Sequence, residues 1–325
     1  MTISSEPGGI TQATARKFLA GSIAAMICAV ALWEVIGRFN LDVGAFLLGL
    51  AVLPVPAGIY YFYTRVRRDQ RIASVAFAVC FMFAFAPCCS ILTYFALGHG
   101  LTRVDQAMAD IDKMMGFDWI AFATFAANHQ TLNYILFLIY RLSVWQVLVV
   151  VVVLGLEAAP SPEDMEKFLI AFAASALLSV AIWWLVPNIG ATAVYTLPAN
   201  IEANLHADVS AEYTRQVIAQ YATGPKLITP LEVRGLVGFP SFHTAEAIIS
   251  TWYVRKLRWA LFAFLPFNAL VIFSCPTQGG HDLVDVLGGA VVAAIVIGSV
   301  EKIRFAGAVA KRQASGFVPS TEIAL

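Results

Sequence analysis

Long apolar runs separated by short polar stretches dominate this chain. Eight of them come close to or exceed the roughly 20 residues that a helix needs to cross a bilayer core about 30 Å thick. They lie near residues 17–37, 43–64, 73–97, 132–156, 167–187, 236–254, 258–275 and 281–301. The pattern predicts an all-α, polytopic membrane helix bundle with about eight transmembrane helices.

Helical patterns also occur in two long polar segments between these runs. In residues 104–115 apolar positions recur at helical spacing among aspartates, which predicts an amphipathic helix along the membrane interface, with a solvated connector as the alternative. The following GFDW block, residues 116–119, predicts a turn and an aromatic anchor at the interface. The second segment, roughly 188–238, predicts a polar helix near 201–221 and a cover over whatever site follows it.

The basic residues test the number of spans independently, because Lys and Arg accumulate in cytoplasmic loops. With a cytoplasmic N-terminus, eight spans place 14 of the 21 basic residues inside and 6 outside, and Arg141 lies within the fourth span. We therefore expect an integral protein of a bacterial inner membrane. The starts of the sixth and eighth spans would face the periplasm or another exoplasmic compartment.

Composition agrees with a membrane protein, since 59% of residues are hydrophobic and 13% are charged. The formal net charge of zero argues against a nucleic-acid partner, which would require a basic face. We expect four regions along the chain. They are a flexible cytoplasmic tail (1–16), two additional N-terminal transmembrane helices (17–64), a catalytic membrane domain (73–301) and a second cytoplasmic tail (302–325).

Candidate chemistry is concentrated in two blocks, GFPSFHTAE at 238–246 and GGHDLVDVLGG at 279–289. In the first block a Pro-Ser-Phe turn precedes His243 at the expected start of a helix. Free amides at a helix N-terminus and the hydroxyl of Ser241 favour phosphate oxygens. An imidazole at this point is placed to donate a proton to a leaving oxygen.

In the second block two glycines precede His281 and allow the backbone to approach a ligand closely. Asp285 follows at i+4, so its carboxylate lies on the same helix face and can accept the proton on one ring nitrogen. The other nitrogen is then free to attack phosphorus. By ligand type, His243, His281 and Asp285 could also bind zinc, although no compact His/Cys cluster supports such a site.

The pairing of PSFHTA with GGHDLVDVLGG resembles the type 2 phosphatidic acid phosphatase superfamily, particularly the branch that includes inositol phosphorylceramide synthases. The GFDW block and the pattern of Tyr140, Ser143 and Gln146 are weaker matches to that branch. The resemblance covers roughly residues 73–301 and implies a six-helix catalytic core.

This resemblance also implies roles for the motif residues. His281 would be the nucleophile that forms a phosphohistidine, with Asp285 as its partner. His243 would be the general acid and Ser241 a phosphate ligand. Neither a metal nor another cofactor would be required.

Two features of the superfamily are missing. Ser274 and Cys275 occupy the positions where its third motif has Ser-Arg, and its Lys-x6-Arg-Pro motif is absent. Loss of a phosphate clamp costs about 3 kcal/mol of transition-state stabilisation, so another cation is expected to substitute. The candidates are Lys226, Arg234 and Arg141, and the alternative for Arg141 is a buried structural ion pair.

The sequence therefore predicts a metal-independent phosphoryl-transfer enzyme, a lipid phosphate phosphatase whose partners are the membrane and a lipid phosphate or phospholipid substrate. A lipid headgroup transferase similar to the inositol phosphorylceramide synthases is the alternative, and the missing arginine favours it. A non-catalytic lipid-binding or transport protein is the alternative from another class. Against it, few ionisable groups lie within the spans and no inverted repeat is evident.

Overall fold

The computed structural model describes residues 9–36, 40–98, 101–156, 163–225, 227–230, 233 and 235–306. Within these ranges the regular structure is helical, apart from two isolated bridges that join Ile10 to Phe305 and Leu41 to Ile228. The α-helices are α1 Gln12–Val35, α2 Val43–Gly49, α3 Pro54–Arg65, α4 Gln70–Tyr94, α5 Asp105–Met114, α6 Trp119–Asn128, α7 Gln130–Leu156, α8 Asp164–Leu185, α9 Ala199–Asn204, α10 Ala211–Thr223, α11 Phe242–Val254, α12 Arg258–Gln278 and α13 Leu283–Val300.

Polar residues mark the start of several helices. The side chain of Thr11 accepts a backbone N–H in the first turn of α1, and Asp69 and Asp118 do the same for α4 and α6. Each cap satisfies an amide that has no partner within its own helix. The apolar residues that follow each cap continue as helix, because the bilayer core offers backbone N–H and C=O groups no hydrogen-bond partner outside the helix.

Six of the described helices are long and apolar enough to cross a membrane, namely α1, α4, α7, α8, α12 and α13. The pair α2 and α3, which is bent by 40° around Leu53, forms a broken span or a re-entrant loop and would make a seventh. The remaining predicted span, 236–254, contains only the 13 residues of α11, about 20 Å of helix. The all-α membrane bundle is confirmed. The described residues contain six or seven spanning helices, and the short helix α11 stands in place of the remaining predicted span.

The outside of the bundle is apolar. Leu185 is 83% exposed, Phe262 is 76% exposed and Leu48 is 77% exposed. An apolar surface of this extent is suited to lipid rather than to water. The chain is therefore an integral membrane protein.

Ion pairs gather at one end of the bundle and fix the relative direction of four helices. The pairs are Arg16 with Glu166 (2.6 Å), Lys256 with Asp164 (2.8 Å) and Lys167 with Glu301 (3.6 Å). The starts of α1 and α8 and the ends of α11 and α13 thus lie together. Both candidate motifs, which include the starts of α11 and α13, consequently lie toward the opposite end.

The short length of α11 sets the depth of that site. α8 has 22 residues and is about 33 Å long, whereas α11 covers about 20 Å from the same ion-paired end. The start of α11 therefore lies roughly 13 Å short of the far end of α8. The candidate site at the start of α11 is therefore recessed within the bundle and does not lie at the end of a full-length spanning helix.

Candidate active site

The second motif lies in the turn between α12 and α13. His281 is 4% exposed, and its Nδ1 lies 3.3 Å from Oδ2 of Asp285. That oxygen also accepts the backbone N–H of Asp282 at 3.1 Å. α13 begins at Leu283, so His281 precedes the helix and does not open it. The expected contact between His281 and Asp285 is present, and it leaves Nε2 of the imidazole for a substrate.

Asn188 is a contributor that the sequence analysis missed. Its Nδ2 donates to Oδ1 of Asp285 at 3.1 Å, and its Oδ1 accepts the backbone N–H of Phe239. The residue is 1% exposed, and its own carbonyl accepts the indole N–H of Trp183 at 2.7 Å. One amide side chain therefore joins the two motifs. No local pattern marks it, because Asp285 is 97 positions away.

The Pro-Ser-Phe turn packs directly on α13. The backbone N–H of Ser241 donates to the carbonyl of Asp285 at 2.9 Å. A Cβ atom at Gly289 would lie 2.2 Å from the Ser241 carbonyl oxygen, and one at Gly288 would lie 2.4 Å from the ring of Phe239. The glycine pair that ends the second motif therefore permits the contact between the motifs.

Tyr140 of α7 lies between the two histidines. Its hydroxyl is 3.2 Å from Nδ1 of His243, and the two rings stack with centroids 4.3 Å apart. A Cβ atom at Gly279 would lie 2.6 Å from the Tyr140 hydroxyl and 2.8 Å from Cδ2 of His281. The side chain of Tyr140 thus lies next to both imidazoles, and the absence of a side chain at Gly279 leaves space for its hydroxyl.

The glycines before His281 were expected to let the backbone approach a ligand, but in the structure they serve packing within the protein. Gly280 has a φ of +65°, a conformation that favours glycine, and its carbonyl accepts the N–H of Ala191 at 2.8 Å. Together with Gly279, it positions His281 against its neighbours.

Ser241 lies in a small group of hydroxyl and thiol side chains. The hydroxyl of Thr244 donates to that of Ser241 at 3.3 Å, and the Ser241 hydroxyl is 3.8 Å from the sulfur of Cys275. Cys275, at the position of the expected arginine, is fully buried. No side chain caps the start of α11, so its first amides are the ones that favour an anion.

The start of α13 differs, because a carboxylate already occupies it. Asp112 of α5 accepts the backbone N–H groups of Leu283 and Val284 at 2.6 and 2.9 Å. Asp105, on the same helix, accepts the N–H of Ile189 at 2.6 Å. The predicted helix at 104–115 is therefore present, and two of its aspartates face inward and brace the site.

Trp119 of the GFDW block has a different position from the one predicted. It is 2% exposed, and its indole donates to the carbonyl of Pro276 at 2.9 Å. Its ring stacks on Tyr195 with an interplanar angle of 8°. The prediction of an aromatic anchor at the membrane interface is wrong, because this indole finds its hydrogen-bond partner in the last turns of α12, next to the second motif.

The carboxyl groups around the second motif perturb one another. Burial, followed by the charges of Asp285, Asp112 and Asp105, raises the pKa of Asp282 to about 8. Burial also raises the pKa of Asp112. A protonated Asp282 at neutral pH reduces the negative charge that an anionic substrate would meet.

The structure describes only one of the three candidate cations, Arg141. The side chain of Arg141 is 61% exposed, its Nε lies 3.7 Å from Asp208, and its guanidinium lies over the ring of Phe137 at 5.3 Å. The alternative of a buried ion pair for Arg141 does not hold, since the group is exposed. Lys226 and Arg234 lie outside the described residues, so their part in binding phosphate stays a prediction, as does that of Arg141.

An apolar cavity of about 380 Å³ opens beside His243. Side chains of α4, α7, α8 and α11 form its walls, among them Phe85, Trp145 and Phe172. Few polar groups reach it, and Ser179, Thr93 and Glu246 are the buried ones beside His243. Its shape and lining suit a hydrocarbon chain whose polar end lies at His243.

Within the described ranges no group of three or more His, Cys, Asp or Glu side chains is arranged to hold a metal ion. The zinc alternative therefore has no ligand set in that part of the chain. Asp285, one of its proposed ligands, is already hydrogen-bonded to His281 and Asn188.

Of three comparisons with known proteins, the one with protein families gives a match. No curated protein and no solved structure matches this chain. The family model described as the PAP2 superfamily matches residues 106–299, a range that begins in α5, ends in α13 and includes both motifs. The expected superfamily is confirmed, while the branch of inositol phosphorylceramide synthases stays a prediction. With more than half of its length matched by the family model, the chain belongs to the PAP2 superfamily.

Proposed function

We propose that this protein is a lipid phosphate phosphatase that works through a phosphohistidine on His281. Membership of the PAP2 superfamily supports a phosphatase or phosphotransferase that acts on lipids. The observation that carries the proposal is that the two histidine motifs lie in contact with the same side chain. Tyr140 contacts His243 and borders Gly279 together with His281, so both imidazoles can reach one phosphate group.

In the first step the lone pair on Nε2 of His281 attacks phosphorus. A P–N bond forms, and the bond between phosphorus and the lipid oxygen breaks. His243 transfers a proton to that oxygen, so that the lipid leaves as a neutral alcohol. Asp285 binds Nδ1 of His281 at 3.3 Å and stabilises the positive charge that develops on the ring.

In the second step water attacks the phosphohistidine. His243 takes up a proton from that water, the P–N bond breaks, and inorganic phosphate leaves. Tyr140 holds Nδ1 of His243 throughout, which keeps Nε2 directed at the reacting oxygens. The first amides of α11 and a cation, with Arg141 the candidate among the described residues, would bind the phosphate oxygens.

The apolar cavity beside His243 supports a lipid as the substrate, because it offers room for a hydrocarbon chain next to the reacting groups. The distribution of basic residues supports an exoplasmic site. In a bacterial inner membrane the phosphate group would then enter from the periplasmic leaflet.

The test is release of inorganic phosphate from dioleoyl phosphatidate by the full-length protein in detergent. We expect His281→Ala to lower the rate by at least about 10³-fold and a chelator to leave it unchanged. The matched control is His129→Ala, because the side chain of His129 is exposed and its Nδ1 lies 2.8 Å from the carbonyl of Phe125, one turn earlier in α6. Full activity of His281→Ala, or inactivity of the wild type on any lipid phosphate, would overturn the proposal and favour a non-catalytic lipid-binding protein.

One observation favours a headgroup transferase as the second candidate. The site is recessed and His281 is 4% exposed, which limits access of water and favours a lipid hydroxyl as the acceptor. Adding candidate lipid alcohols separates the two. A transferase forms an acceptor-dependent phospholipid without free phosphate, and a phosphatase releases phosphate whether or not the alcohol is present.

A further inference from the structure

Two oxygen-bearing side chains in the apolar cavity have buried atoms that nothing in the described chain satisfies. Glu246 is 3% exposed and Ser179 is 1% exposed, and both line the cavity. Oε1 of Glu246 and Oγ of Ser179 have no hydrogen-bond partner among the described residues. Gln146, whose side chain interacts with the Glu246 carboxyl, is buried as well, and its amide nitrogen and oxygen also have no satisfied hydrogen bond there. By contrast, Thr93 in the same cavity donates to the carbonyl of Ser90 at 2.6 Å.

Such groups are unfavourable in an empty apolar chamber. A buried polar atom loses its hydrogen bonds to water and destabilises the fold unless a partner replaces them. A hydrocarbon chain would leave the penalty in place, whereas a ligand with a hydroxyl or amide group would remove it. The presence of a carboxyl and a hydroxyl in one lipid-sized cavity therefore points to a ligand that is not purely hydrocarbon.

The position of Glu246 indicates where on the ligand that group lies. Glu246 follows His243 by three residues in α11, so the two side chains share a helix face about 5 Å apart along the axis. With a phosphate at His243, as the proposed function requires, a group within reach of Glu246 lies two or three bonds from the phosphate ester oxygen.

We propose that Glu246 and Ser179 form a specificity site for a hydroxyl or amide group carried by the lipid close to its phosphate. This inference rests on the proposed function for the position of the phosphate. The site would favour a long-chain phosphate with a 2-hydroxyl or 2-amide substituent over a plain alkyl or isoprenoid phosphate. Glu246 accepts a hydrogen bond from the substituent, and Ser179 accepts or donates a second one.

Binding of two non-hydrolysable probes tests the proposal without any turnover. The probes are hexadecylphosphonate and 3-hydroxyhexadecylphosphonate, in which a methylene replaces the ester oxygen so that the hydroxyl matches the 2-hydroxyl of a lipid phosphate. Each is titrated into the full-length protein in detergent while its thermal stability is followed. We expect the wild type to bind the hydroxylated probe at least about 10-fold more tightly, since a site built to bond a hydroxyl discriminates strongly against its absence. In Glu246→Leu the ratio should fall toward one.

Three further variants keep the result interpretable. Glu246→Gln retains hydrogen-bonding atoms and should keep part of the preference, and Ser179→Ala should lose part of it. Thr93→Val, at a cavity position whose hydroxyl is already satisfied, should keep all of it. Equal binding of both probes by the wild type, or an unchanged preference in Glu246→Leu combined with Ser179→Ala, would overturn the proposal.

The two proposals fail in different ways. Retained phosphate release in His281→Ala would remove the proposed mechanism and leave the binding comparison valid. Equal binding of the two probes would remove the specificity site and leave the phosphatase chemistry standing.

Discussion

His281 and Asn188 share the carboxylate of Asp285, one on each oxygen. The sequence predicts the first contact, because spacing of four residues at a helix start brings two side chains onto one face. It does not predict the second, since the contact between Asn188 and Asp285 depends on how distant segments pack. Local spacing thus predicts a pair of site residues but not the residue that holds the pair in place.

We expect Asn188→Ala to lower kcat by about 10- to 100-fold, as loss of a group that orients a reacting side chain commonly does. The reason is that Oδ1 of Asp285 loses its partner while the lipid cavity is untouched, so KM should change little. Steady-state phosphate release measures both constants. Gln106→Ala, which removes an exposed amide bonded to Asp110, is the control. An unchanged kcat in Asn188→Ala would show that Asp285 needs no such support.

The raised pKa of Asp282, about 8, predicts a pH effect on stability. The folded protein holds this proton up to about pH 8, whereas the unfolded chain loses it near 3.8, the ordinary pKa of an aspartate. The folded state therefore binds more protons over this window, and the contribution of Asp282 to stability falls as pH rises through it. Asp282→Asn removes the titration.

Thermal unfolding in detergent at about pH 6 and about pH 9 measures this effect. The stability of Asp282→Asn relative to the wild type should increase from the lower to the higher pH. A difference that is constant, or that decreases with pH, would show that the Asp282 carboxyl is not held protonated by its neighbours.

At the scale of helices, α11 and α13 are joined by backbone contacts that small residues permit. Gly289 meets the carbonyl of Ser241, whereas Gly298, further along α13, has no atom within 4 Å of the position that a Cβ would occupy. The sequence shows both glycines but cannot rank them, because their importance depends on the neighbouring helix.

Gly289→Ala should disrupt the site, since its Cβ would lie 2.2 Å from a backbone oxygen and the Ser241 turn would have to move. We expect phosphate release to fall by at least about 10-fold, as displacement of reacting groups by about 1 Å can cost 10²-fold. Gly298→Ala should be active and as stable as the wild type or more stable, because alanine favours a helix. Equal activity in the two variants would contradict the proposed contact between α11 and α13.

For the whole molecule, the apolar runs predict the membrane bundle because their length and composition alone specify spanning helices. They do not predict that α11 is short, since the apolar run at 236–254 includes the extended residues that lead into the recessed turn. Nor do they predict the bend between α2 and α3, where an apolar composition continues through the break. Deviations from the simple count occur where packing, not hydropathy, decides the structure.

The charge distribution predicts that the end with both motifs faces away from the cytoplasm. Cysteines introduced at two exposed positions test this, Lys113→Cys in α5 and Arg304→Cys after α13. Each is combined with serine at the three native cysteines that are not buried, Cys28, Cys80 and Cys88. A membrane-impermeant maleimide should label Lys113→Cys in spheroplasts and Arg304→Cys only after the membrane is disrupted. The reverse pattern would place the site on the cytoplasmic side.

The central claim is that His281 carries the phosphoryl group, and trapping that intermediate tests it most directly. The full-length protein is mixed with a long-chain lipid phosphate that carries radiolabelled phosphorus, and the reaction is stopped in alkali within one turnover. We predict a protein-bound label that survives alkali, is lost in acid and maps to His281, with none in His281→Ala. A label of equal amount in His281→Ala, or turnover of the lipid without any labelled protein, would contradict the account.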